Sequence, residues 1–68
     1  MTREQAHFWA TTRYLADLHY LTLRSMGHNP EEAARAVMFR VEKHILSAYY
    51  SLQQFDLPSL RAELLDKR

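Results

Sequence analysis

The chain has 68 residues, 47% hydrophobic and 25% charged, with one glycine, two prolines and no cysteine. It is too apolar for a disordered segment and too short for two cores, and the missing cysteine excludes disulfide staples and thiolate metal sites. Nine basic and eight acidic residues, net charge +1, are scattered without a like-charge block, so composition gives no general attraction to polyanions.

The first helix is expected over residues 3–26. Thr2 and Gln5 form a T-x-x-Q capping box at its start, and Gly27, followed by His28 and Asn29-Pro30, suits the left-handed residue just past its end. The stretch from Met1 to Gln5 is polar, with neither an apolar signal core nor a myristoylation glycine, and no apolar run approaches a membrane span. A cytoplasmic protein is expected. At 100° per residue, Phe8, Tyr14, Leu15, Leu18, Leu21 and Met26 share one broad arc with Ala10, Thr11 and Thr22 as small fillers, the natural mate for a second helix. Trp9, Ala16, Tyr20 and Leu23 fall on a separate sector that something else must cover, and Arg13, Asp17 and Arg24 on a solvated one.

The second helix is expected over residues 30–55. Asn29 is a good N-cap, Pro30 fits the first helical position, and Glu31 and Glu32 place negative charge at the positive end of the macrodipole. Ala34, Met38, Val41, Ile45, Ala48, Leu52 and Phe55 repeat at alternate spacings of four and three, a heptad seam facing the first helix. Phe39, Leu46 and Tyr50 form a surplus apolar stripe bordered by Arg35, Glu42, Gln53 and Lys43, while Glu31 and Arg35 are spaced for an exposed ion pair. Asp56-Leu57-Pro58 breaks the helix and starts a third, over residues 58–67, amphipathic through Leu57, Leu60, Leu64 and Leu65. A Glu63–Lys67 pair lies on its outside, Lys67 and Arg68 close its negative end, and it is too short to stand undocked.

The whole chain, 1–68, is thus expected to be one all-α domain: an antiparallel αα-hairpin of two long helices plus a short C-terminal helix. The third helix covers one surplus stripe at most. A chain this small commonly completes its core by self-association, so a homodimer with a four-helix-bundle-like assembly is expected. In chain topology that assembly resembles the Rop family of dimeric helical hairpins; no motif is shared, and the resemblance carries no residue across.

Glu4-Gln5-Ala6-His7 is an E-x-x-H spacing, which in ferritin-like di-metal bundles recurs on a second helix; here Val41 precedes His44 by three and Ala16 precedes His19. The four histidines are dispersed, and there is neither an activated nucleophile nor a phosphate loop, so no metal, cofactor or catalysis is expected. What remains is recognition. The reading is a non-catalytic protein-binding module, an adaptor, regulator or inhibitor of a larger protein of the bacterial or phage accessory kind. Its contacts are Trp9, Tyr20, Phe39, Leu46 and Tyr50, with Arg13, Arg35 and Lys43 steering at the rim. The alternative is a Rop-like regulator binding nucleic acid through Arg35, Arg40 and Lys43 around Phe39, opposed by Glu31, Glu32 and Glu42 on the same helix.

Overall fold

Capping chemistry sets the boundaries of three helices in the computed structural model, which describes residues 1–67: α1 (Arg3–Ser25), α2 (Pro30–Ser47) and α3 (Leu57–Leu65), with a 3₁₀ turn at Leu52–Gln54. The expectation that Arg68 closes the third helix falls outside the described residues. At the start of α1, Thr2 Oγ1 accepts from the Gln5 N–H at 3.1 Å and Gln5 Oε1 accepts from the Thr2 N–H at 2.9 Å, the expected capping box. Asn29 Oδ1 caps α2 by accepting from the Glu32 N–H at 2.8 Å. Between them Gly27, at φ 98°, closes α1: its N–H donates to Arg24 O and the His28 N–H donates to Leu23 O, each at 3.1 Å. This is a Schellman motif, which satisfies carbonyls that a helix end leaves unpaired.

α2 ends at Ser47, not at residue 55. The Tyr49 N–H donates to Leu46 O and the Tyr50 N–H to Ile45 O, a second Schellman motif with Tyr49 at φ 65° in the left-handed position. Ser51 then restarts the chain as the 3₁₀ turn: its Oγ accepts from the Gln53 N–H at 3.2 Å, and its N–H donates to Gln54 Oε1 at 2.6 Å. The heptad seam nevertheless turns inward along its length. Ala34, Met38, Val41, Ile45 and Phe55 are buried, and Ala48 and Leu52 half-buried. The chain past Ser47 folds back over the end of the hairpin, so Phe55 reaches Trp9, stacked at 4.9 Å, and meets Tyr50 edge-on at 5.5 Å.

α1 and α2 pack antiparallel, Phe8 near the start of one stacking on His44 near the end of the other at 5.0 Å. The face α1 presents is not the broad arc. Thr12, Ala16 and Tyr20 are buried and Phe8, Trp9 and Leu23 pack at their edges, whereas Tyr14, Leu15, Leu18, Leu21 and Met26 stay exposed. Small residues suit this face: Ala16 shares the core with Ala33, Ala34 and Val37, side chains that permit close helix packing, and the rings of Phe8, Trp9, Tyr50 and Phe55 cluster near the start of α1. Thr12 is accommodated by donating its hydroxyl to Phe8 O at 2.8 Å. Tyr20 lies at 0% exposure with its hydroxyl unpartnered among the described residues.

α3 buries Leu60 and Leu64 and packs chiefly on α2. Three exposed ion pairs pin it: Arg13 to Glu63 at 2.7 Å, Arg61 to Glu31 at 3.0 Å and Lys67 to Asp17 at 3.8 Å. The local spacings Glu31–Arg35 and Glu63–Lys67 therefore give way to tertiary partners. An exposed pair within one helix contributes only about 0.3–0.5 kcal/mol, too little to compete once docking has brought opposite charges together.

Candidate interaction surface

The eight residues expected to contact a partner separate into four groups. Tyr20 belongs to the core, which removes it from any surface. Trp9 and Tyr50 are half-buried in the aromatic cluster with Phe8 and Phe55, Tyr50 lying 4.9 Å from the Phe8 ring. Tyr50 also lies beyond the end of α2, so it does not continue the helical stripe of Phe39 and Leu46. Arg13 is engaged by Glu63 through both carboxylate oxygens, at 2.9 and 2.7 Å. Both bonds come from the single nitrogen Nη2, and the pair ties α3 to α1.

Arg35, Phe39, Lys43 and Leu46 remain together on the outer face of α2, all four exposed. Phe39 is 61% exposed in the middle of the helix, and the Lys43 ammonium sits 5.1 Å from its ring centroid. This cation–π contact holds the lysine beside the ring and leaves its ammonium available to a carboxylate. Glu32, Arg35, Phe39, Glu42 and Leu46 follow one another at alternate spacings of three and four, so charge of both signs frames the two apolar side chains. Tyr49, at the end of the helix, is 97% exposed.

A groove of about 370 Å³ runs between α1 and α2. Ala16, Val37 and Val41 form its buried floor, and His19, Arg40 and His44 stand along it with no carboxylate in the lining. Arg40 adds one cation beside the Phe39 face. Glu4 and His7, the E-x-x-H pair, are both exposed, and among the described residues no group of three histidine, aspartate or glutamate side chains is placed to hold a metal ion. No helix among them is long and apolar enough to cross a membrane.

Sequence reasoning leaves the outward face of α1 out of the site because it counts that face as core. The signal was present in the same arc: His7, Thr11, Tyr14, Leu18, Leu21 and Ser25 repeat at alternate spacings of four and three along a face with no charged residue in those positions. Comparison of the chain with protein families, with curated proteins and with solved structures gives no match. The functional reading therefore rests on these residues alone.

Proposed function

We propose that the chain is a non-catalytic protein-binding module, an adaptor, regulator or inhibitor of a larger protein, acting in the cytoplasm as a pair of identical copies. The α2 face is its binding surface. Phe39 is the anchor, Leu46 extends the apolar contact, and Arg35 and Lys43 give it a cationic rim. The observation that carries this reading is the exposure of Phe39, 61% at the centre of a helix, with a lysine poised against its ring. A bare aromatic ring ringed by charge has the anatomy of an interface hot spot. The matching partner offers an apolar pocket for one ring with carboxylates at its edge.

The test is capture on the immobilised chain, identification of what binds, and titration with that purified protein. Phe39→Ala is expected to weaken binding at least about tenfold, as loss of an interface anchor does, with helical content unchanged because the ring is exposed. Equal binding by both chains defeats the assignment. Salt-dependent retention on a polynucleotide matrix, abolished by Arg35→Ala with Lys43→Ala, would replace it with the nucleic-acid reading.

A further inference from the structure

The α2 face accounts for Phe39 and Leu46 but leaves a longer apolar surface on α1. We infer that the second copy of the chain binds there, α1 packing antiparallel on α1 of its partner. This rests on the proposal that the chain works as a pair and supplies what that proposal lacks, a surface and a register.

Area is the first argument. Tyr14, Leu15, Leu18 and Leu21 are 46–64% exposed. They lie along a helix of 23 residues, roughly 35 Å long at about 1.5 Å per residue. With the exposed Thr11 and Thr22 beside them they make a continuous strip along the helix, the kind of extended face from which a stable interface draws its roughly 800 Å² per partner. A heptad repeat carried over the length of a helix keeps such a strip facing another helix along its whole course.

Charge is the second argument, and it selects this chain as the occupant. At its heptad positions from His7 to Ser25 the strip holds no Lys, Arg, Asp or Glu, so it neither attracts a charged partner nor repels its own copy. Of the charges on its flank, Arg13 pairs with Glu63 and Asp17 with Lys67, and Arg24 donates to His28 O at 2.7 Å, while Arg3 and Glu4 stand at its wet His7 end. The α2 face differs: its alternating glutamates and arginine suit a polar-rimmed foreign surface.

Antiparallel register follows from matching the layers. With the dyad between Tyr14 and Leu18, Tyr14 of each copy packs on Leu18 of the other and Thr11 on Leu21. His7 and Ser25 meet at the two wet ends, where an imidazole and a hydroxyl can hydrogen-bond. Leu15 approaches its own copy beside the dyad. The two macrodipoles oppose, which a parallel pair would instead align.

Light scattering at micromolar concentration is expected to report twice the 8.1 kDa chain mass. Leu18→Glu is expected to raise the dimer dissociation constant about 100-fold or more, since it places two charges in the apolar seam, and circular dichroism is expected to show the helices retained. Leu21→Lys repeats the test at a second position should the first variant unfold. The chain's lack of cysteine permits a check of orientation. A mixture of Tyr14→Cys and Leu18→Cys chains is expected to cross-link on oxidation while neither does so alone, because a disulfide needs Cα atoms about 4.4–6.8 Å apart. A monomeric wild type, a dimer indifferent to both charge substitutions, or cross-linking of either variant with itself overturns the inference. If such a monomer still captures a partner through Phe39, pairing fails while the protein-binding reading stands.

Discussion

α1 and α2 close with the same pair of hydrogen bonds, one around glycine and the other around tyrosine. At Gly27 a φ of 98° costs nothing sterically, and the chain passes straight through His28 and Asn29 into the next helix. At Tyr49 the left-handed backbone opposes the side chain's preference by about 1–2 kcal/mol, and the 97% exposed ring contributes no packing in return. The second closure is therefore held by residues beyond the turn itself. Tyr50 and Phe55 lock onto Phe8 and Trp9, and that packing holds the turn in a conformation its own residue disfavours.

The sharpest break in this comparison comes from removing the lock. Phe55→Ala is expected to lower stability by about 3–5 kcal/mol, as for truncation of other buried aromatic rings, whereas His28→Ala, an exposed side chain after the first turn, is expected to stay within about 0.5 kcal/mol. Urea unfolding of the two variants reads the difference. Gly27→Ala is next: the added methyl meets nothing within 4 Å, so the cost is backbone strain alone, about 1–2 kcal/mol. Tyr49→Gly reverses the sign and should stabilise by about 1 kcal/mol, which for a chain of this size is a rise of about 4–8 °C in melting temperature. Unequal size in these last two changes would measure how much strain the aromatic lock sustains.

The smallest effect separates two helix starts rather than two ends. Asn29 caps α2 without a titratable group, while Asp56 caps α3 by accepting from the Ser59 hydroxyl at 2.7 Å and the Ser59 N–H at 3.1 Å. Those bonds, the hydroxyl first, hold the Asp56 carboxyl below its ordinary value. A lowered native value stabilises the fold above the unfolded carboxylate range, and that stabilisation is lost as pH falls through the lowered one. Asp56→Asn is expected to flatten this part of the acid limb in melting temperature against pH, with little change at neutrality.

These contrasts also show where sequence reading succeeds. Thr2, Asn29, Gly27 and Pro58 announce their boundaries by side-chain chemistry, and the structure places helix limits beside each. Tyr49 announces nothing, because a left-handed tyrosine is set by tertiary packing. Yet Ser51-Leu52-Gln53-Gln54 repeats the S/T-x-x-Q signature of Thr2 to Gln5, and such a start inside an apparent helix is a readable sign that the helix has ended. The faces of α1 divide differently. Counting large apolar residues favours Tyr14, Leu18 and Leu21, whereas close packing favours the sector of Ala16, with Tyr20 filling the space beside it. Of the candidate contacts, Phe39, Leu46, Arg35 and Lys43 share an exposed face of α2, as periodicity places them; Trp9 and Tyr20 share their expected sector of α1, but that sector faces the core, and Tyr50 lies past the end of α2, where the helical period stops.

The stacking of Trp9 on Phe55 gives the molecule an optical reporter at one defined joint. Trp9 is the chain's sole tryptophan, so its emission reads whether the segment after α2 is seated, while far-ultraviolet ellipticity reads mainly the two long helices. If the end of the molecule opens before the hairpin melts, the two signals will separate on warming. Coincident transitions would mean that the closing segment and the hairpin unfold as one cooperative unit.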